Sequence, residues 1–526
     1  MQRASRGWRA LTRFGTLLLF VPVLACSSAL RGYDVAPNGL ARNDERLRRM
    51  LAAGDADSAL AHMRPSKHSI APTDAVLRLL YQGTIAHYAG DYATSVSSFD
   101  SAAWLADDRT VTRVSREAAS LFSSDRALPY EPDRTERLLN AYYAGLGYLR
   151  LNNPVEAAVE ARRISFILQN TDEDVDSREA PLHGVLRYLT GVMYELAGNS
   201  ADADVAYRNA AALLPSLTPP SAPSRDSGDV VLIIEDAFVA HRVQHSLTLV
   251  VGGDEHDRLH DHDRDVRDRA ANELAMRVLA DAFARADDYA VGPRTGRRDW
   301  FVPAPPESKR RKRCRESAEA AKADSAAPAS LVSTKAATAA SANGTTDSAG
   351  TADSSVSRKK ANACEEDDRT YILRMAWPAY HADRRPAMHA KVFYGDSIET
   401  TAPVFASIND AVLAEYDRER LKILARTIAR SAAKYALVKS AEDVGGDDNN
   451  GIGRLLGTIA NVSTAVLEQA DTRSWTLLPG SIGIARIRLP AGTHNLRVQV
   501  DGTTIALRDL TVRPGAVRVE SIRNGP

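Results

Sequence analysis

The chain has 526 residues with 67 basic and 67 acidic side chains, a formal charge of zero. A length well beyond ~250 residues predicts two or more domains. Apolar residues make up 44% and charged residues 25%, ordinary proportions for a globular protein, and without an excess of basic charge no nucleic acid is expected as a partner.

Arg3, Arg6, Arg9 and Arg13 precede an apolar run from Phe14 to Leu24. The run is too short to span a bilayer as a mature helix and has signal-peptide proportions. It ends Val23-Leu24-Ala25-Cys26 with small residues following. This resembles the bacterial lipobox, whose cysteine is lipidated and becomes the new N-terminus; the alternative is an export signal in which Cys26 is incidental. On the first reading residues 1–25 are the signal peptide. Losing its four arginines leaves 63 basic against 67 acidic residues. Ser27 stands where aspartate favours inner-membrane retention in many bacteria, so the resemblance implies the outer membrane, lipid-anchored and facing the periplasm. Buried methylenes supply such an anchor, and no spanning helix is needed. Cys314 and Cys364 are the other two cysteines; outside the cytoplasm a pair predicts a disulfide.

Residues 26–39 read as a tether. From Asn43 to Met63 a helix, a Gly54-Asp55 turn and a second helix form a degenerate half-repeat. The next unit sets Leu79, Gly83, Gly90-Asp91-Tyr92, Ser95, Phe99 and Ala102 at the spacings of a tetratricopeptide helix hairpin, with Ala86 where tyrosine is usual. A helix over 110–123 and a break at Leu128-Pro129-Tyr130 follow. The third unit, Glu136 to Gln169, carries Gly145, Tyr148, Ala157 and Ala161, and its Asn152-Asn153-Pro154 turn places proline where a helix opens. The fourth, Arg187 to Pro215, is the best formed, with Gly191, Tyr194, a Gly198-Asn199 turn, Ala203, Tyr207 and Ala210. Small residues at Gly191 and Ala203 let two helices approach, while Tyr194 and Tyr207 fill the space beside the crossing. One hairpin cannot bury its own apolar face, so the units are expected to stack over 40–218. Gly83, Gly145 and Gly191 are 62 and 46 residues apart, whereas a regular array repeats every ~34. The array is therefore expected to be irregular.

Leu217 to Ser227, rich in Pro and Ser, reads as a linker. Asp229 to Glu235 is apolar almost throughout, which predicts a strand buried on both faces, with Val243 to Val251 as its antiparallel neighbour. A helix over Arg267–Arg285 follows. Residues 308–368 form an insert dominated by Ala, Ser, Thr and Asp, expected to be disordered because it has too little apolar surface to offset chain entropy. Its edges are basic at Lys309–Arg315 and acidic at Cys364–Asp368, and a Cys314–Cys364 disulfide would close it at its base. Tyr371 to Pro378 and Lys391 to Tyr394 read as strands, Ser407 to Lys439 as a long helix and Gly451 to Glu468 as another. The end reads as four strands, Ile482–Leu489, Asn495–Val500, Thr503–Val512 and Val517–Ile522, with hairpin-type turns at Ala491-Gly492, Asp501-Gly502 and Pro514-Gly515. The expected fold is α+β: an irregular tetratricopeptide-like helical array, then an α/β region (228–307 and 369–526) ending in a small antiparallel β-meander.

Asp471, Arg473 and Trp475 alternate in direction on the segment after the last helix. An Asp–Arg ion pair beneath a tryptophan either fixes a helix-to-strand corner or lines a binding cleft. The corner is preferred, because ion pairs and buried tryptophans are common packing devices. Glu235, at its strand's end, joins them as a candidate binding residue; the lack of a paired acid weighs against a hydrolase. His256 and His260 share a helix face as zinc ligands would, but no third ligand follows at characteristic spacing. No metal or cofactor is expected. Nor does the sequence contain a Gly-rich phosphate loop, a nucleophile elbow or an HExxH helix.

The lipobox, the Gly-Asp-Tyr helical repeats, the Val230–Glu235 strand, QADTRSW-x-LLP over 469–479 and AR-x-RLPAG-x-H over 485–494 together resemble a family of uncharacterised bacterial lipoproteins. The resemblance covers most of the chain outside 308–368. It implies an envelope-anchored, tetratricopeptide-like protein and transfers no catalytic residue. The expected function is a non-enzymatic scaffold of the cell envelope whose repeat groove takes an envelope protein or peptide segment. The alternative is a glycan- or peptidoglycan-binding or -modifying protein with its site around Glu235, Asp471 and Trp475. The oligomeric state is left open.

Overall fold

Four left-handed turn residues organise the N-terminal region. Gly54 joins α1 (Arg42–Ala52) to α2 (Ala56–Met63), and Gly90 joins α3 (Ala75–Tyr88) to α4 (Tyr92–Val111). Asn152 joins α5 (Arg134–Arg150) to α6 (Pro154–Gln169), and Gly198 joins α7 (Ala180–Leu196) to α8 (Ser200–Leu213). Their φ values run from 56° to 80°, a region that glycine enters freely and asparagine more readily than most side chains. At three of these turns the next side chain caps the new helix. Asp55 accepts from the Ser58 N–H at 3.2 Å, Asp91 from Thr94 at 3.1 Å and Asn153 from Glu156 at 3.4 Å.

The computed structural model describes residues 39–63, 72–111, 126, 128–169, 175–221, 224–252, 298–303, 371–382, 388–394, 398–399, 403–444 and 469–525, with short pieces within 255–274 and 312–316. Several expectations fall outside these residues: the signal peptide and Cys26, the Cys314–Cys364 pair, His256 and His260, the helix over 110–123 beyond Val111, most of the helix over 267–285, and the helix over 451–468. Among the described residues no helix is long and apolar enough to cross a membrane.

The glycines of the hairpins make room for large neighbours. A Cβ on Gly83 would lie 2.7 Å from the Phe99 ring, and one on Gly191 would lie 2.6 Å from Tyr207. A Cβ on Gly145 would lie 2.6 Å from the Met193 methyl of α7, so its close approach is between hairpins. Ala157, Ala203 and Tyr194 are buried, and Tyr148 donates to Asp100 at 2.6 Å.

The remaining strands are β1 (Ser227–Asp236), β2 (His241–Val251), β3 (Arg298–Val302), β4 (Tyr371–His381), β5 (Ala390–Tyr394), β6 (Ile398–Glu399), β7 (Val404–Ser407), β8 (Ser481–Pro490), β9 (Gly492–Val500), β10 (Thr503–Val512) and β11 (Val517–Asn524), with α9 (Ile408–Val444) after β7. They form sheets ordered β11-β1-β8-β7, β10-β9-β5-β6 and β3-β2-β4, so the fold is mixed α+β. The first sheet is a middle layer. Val230, Leu232 and Ile234 of β1 pack against Val498, Val500 and Leu510 of the second sheet. Val231 and Ile233 point the other way, into a core shared with Leu80, Tyr143 and Leu189 of the helices. Both faces of β1 are thus covered, as its unbroken apolar run requires. One apolar core thus joins the helices to one face of the first sheet, and separate cores lie between the first two sheets and beside β2 and β4.

Two expected strand arrangements are corrected. β2 is not the neighbour of β1; it pairs antiparallel with β4 from His241↔His381 to Val251↔Tyr371, and parallel with β3. Both edges of β1 are already taken, by β8 antiparallel and by β11 parallel, and the chain turns away after β1 at Ala237, whose φ is 60°. The last four strands are not a meander. Only β9 and β10 form a hairpin; β8 and β9 are consecutive yet lie in different sheets, with Gly492 at φ 144° between them. Turn residues report that a chain bends, not which edge it meets next. Ile482, Ile484, Ala485 and Ile487 of β8 are buried on both faces, and β1 in the middle layer meets that demand where a two-strand hairpin with β9 does not.

Candidate functional site

The motif segment 470–478 lies against α1, α3, α4 and α5. Trp475 is fully buried, its ring 5.7 Å from that of Phe99 and 6.0 Å from that of Tyr143. Its indole N–H donates to Thr84 Oγ1 at 2.9 Å and its backbone N–H to Glu136 Oε1 at 2.7 Å. On either side of it, Tyr81 Oη donates to the Ser474 carbonyl at 3.1 Å, and Arg48 donates to the Thr476 carbonyl at 2.8 Å and to that of Val239 at 2.7 Å.

Arg473 and Asp471 form the ion pair that their spacing predicts, with two contacts of 2.7 Å. The guanidinium also reaches Asp74 at 2.7 Å, the Thr73 carbonyl at 3.3 Å and the Leu128 carbonyl at 2.8 Å. It sits 5.7 Å from the Tyr130 ring centre. One arginine therefore ties the start of α3 and the break at 128–130 to the C-terminal motif. This is a packing junction of three chain segments; the helix that the expected corner would begin from lies outside the described residues.

Glu235 is not beside this corner but is linked to it through Tyr143. It projects from β1 into a cage of phenols: Tyr143 donates to Oε1 at 2.8 Å, Tyr142 to Oε1 at 3.0 Å and Tyr88 to Oε2 at 2.7 Å. Arg523, near the end of β11, donates to Tyr88 Oη at 2.5 Å and lies 4.7 Å from the Tyr88 ring centre and 4.6 Å from that of Phe238. Burial raises the pKa values of all three tyrosines, so they remain donors. His87 stands edge-on to Tyr143 at 5.2 Å. Burial, reinforced by Arg150 and Arg523, lowers its pKa to about 3, and its ring is neutral.

Sequence reasoning missed Glu136, which is buried. It accepts from Tyr130 Oη, from the Asp133 N–H at 3.1 Å and from the Trp475 N–H. Burial pushes its pKa up to about 7, with Asp133 adding to the rise. The Asp133-x-x-Glu136 pair is a capping box at the start of α5, and that local pattern was available to find it. Asp133 also accepts from Arg242 of β2 at 2.6 Å and Tyr380 of β4 at 3.2 Å, and Glu415 of α9 accepts the Arg134 and Thr135 N–H groups at 2.8 and 3.1 Å. The N-terminus of α5 is thus the point at which β2, β4, α9 and the Trp475 segment meet.

Chemically, this is an arrangement for holding chain segments together. Glu235 and Trp475 are 1% and 0% exposed, so neither meets a ligand in this conformation. Among the described residues no cluster of three or more His, Cys, Asp or Glu is placed to hold a metal. The large apolar side chains left bare lie elsewhere. The first helices of the hairpins face the sheet and the Trp475 segment, while the second helices carry Trp104 (70% exposed), Val155 (65%) and Phe166 (66%). No family model matches the chain, and no curated protein is similar to it.

Proposed function

We propose that the protein is a lipid-anchored scaffold on the periplasmic side of a bacterial outer membrane, and that α1–α8 are a tetratricopeptide-like array binding through its outer face. The lipobox-like Val23–Cys26 supports the anchor. The hairpins with Gly83 against Phe99 and Gly191 against Tyr207 support the array. The face of α1, α3 and α5, which a partner peptide would enter in a simple repeat protein, already holds residues 470–478 of the same chain. The observation that carries the proposal is the exposed apolar row on the second helices, since large bare side chains on one face mark interaction surfaces.

The reading is tested by crosslinking in intact envelopes with the anchored wild-type chain and with Trp104→Glu. Recovery of a specific crosslinked species that the variant loses is the expected result. Equal recovery from both would remove the outer face from consideration. The glycan-binding alternative has no observation in its favour, because Trp475, the ring a sugar would stack on, is fully buried.

A further inference from the structure

The outer face of α6 has the pattern of a self-complementary surface. At 100° per residue, Val155, Val159 and Phe166 fall within about 40° of one another and form a straight row roughly 16 Å long, with exposed Arg162 at the row's edge between Val159 and Phe166. They are 65%, 41% and 66% exposed. α4 extends the row sideways. Asp107 of α4 accepts from Arg163 of α6 at 3.2 Å, and Trp104, one turn before Asp107, is 70% exposed. Aromatic side chains present ~150–250 Å² when bare. Trp104 and Phe166 with their aliphatic neighbours therefore expose on the order of 450 Å², enough for the apolar centre of an interface of ~800 Å² per partner.

The charges beside the row select the partner. Glu156 and Arg163 are seven residues apart, two helical turns, and lie on the same flank of the row. Glu156 is exposed, and Arg163 keeps 31% of its side chain exposed despite its pairing with Asp107. A two-fold axis perpendicular to α6 brings this flank of one copy against the same flank of the other with the chain direction reversed. With the axis beside Val159, Glu156 of each copy then falls opposite Arg163 of the other, and two opposite-charge contacts flank a seam of Val155, Val159 and Phe166, with Arg162 on the seam's other edge.

We infer that the outer face of α6, with Trp104 of α4, pairs with the same face of a second copy of this chain in an antiparallel, two-fold dimer. This rests on the reading of the outer face as the docking surface and names its occupant.

Sedimentation of the mature full chain tests it. The expected species has twice the mass of one chain. Phe166→Glu should weaken association by about a hundredfold, the loss typical of a large aromatic anchor replaced by a charge in an interface, with unchanged circular dichroism. Glu156→Arg and Arg163→Glu should each weaken it by about tenfold by setting like charges opposite one another, and the double reversal should restore the wild-type constant. A purely local role of either residue in α6 gives no such rescue. A dimer indifferent to Phe166→Glu, or double reversal without rescue, would overturn the proposal. A monomer whose envelope crosslink is lost in Trp104→Glu would overturn self-pairing while leaving the scaffold reading intact; a monomer with no such crosslink ends both.

Discussion

The two sides of the helical region differ in kind. Facing the sheet, an aliphatic core is crossed by aromatic and polar contacts: three phenols on Glu235, five donor contacts from Arg473, and Trp475 anchored through both of its N–H groups. On the opposite side, α4 and α6 present bare valines, Phe166 and Trp104 among ordinary surface charges. A buried polar group is retained only when partnered, because an orphan costs about 1–3 kcal/mol. The motif-rich side is therefore the side committed to folding. The side that looks plain in the sequence is the one proposed to bind.

The sharpest way to break this contrast is at Trp475. Trp475→Ala should destabilise by about 3–5 kcal/mol through the cavity alone, read as a shift in the denaturant midpoint, whereas Trp104→Ala should stay within about 0.5 kcal/mol. Arg473→Ala comes next, at about 3 kcal/mol, because it strands Asp471 and the carbonyls it caps. If Arg473→Ala were as stable as wild type, the junction would be decorative. Tyr143→Phe should cost about 1–3 kcal/mol by removing a donor from a buried carboxylate.

The pH dependence sharpens the same comparison. Glu136 has its pKa raised by burial from 4.5 to about 7. Its folded form holds the proton more tightly than the unfolded form, so its contribution to stability is full below pH 4.5 and is lost as pH rises to about 7. His87 has its pKa lowered from 6.5 to about 3. Its contribution is full above pH 6.5 and is lost as pH falls toward 3. Urea midpoints should thus show Glu136→Gln flattening the decline between pH 4.5 and 7, and His87→Phe flattening the decline below pH 6.5. Identical profiles in wild type and both variants would mean that neither group is buried as described.

What the sequence disclosed depended on distance along the chain. The turns at Gly90, Asn152 and Gly198, the Gly83–Phe99 and Gly191–Tyr207 fits, and the Asp471–Arg473 pair all involve residues within about one hairpin, and they were legible. So was the double burial of β1, because an unbroken apolar run leaves no solvent face. The partners of β2, β8 and β11 were not legible, since the choice of edge is made between segments far apart in sequence. Glu136 was legible as the capping box with Asp133, but its link to the Trp475 amide, 339 residues away, was not. The Tyr142-Tyr143 dipeptide reads as helix filling until Glu235, 92 residues beyond Tyr143, is brought to it.

The central claim is that residues 470–478 are a permanent part of the fold rather than a displaceable occupant of the helical region. Hydrogen exchange at the Trp475 backbone and indole N–H groups tests it most directly. The account predicts that both exchange only through global unfolding, with the same opening free energy as the slowest amides of β1. Exchange through a local opening of much lower free energy, with β1 still protected, would contradict it and would make the face of α1, α3 and α5 available to a partner.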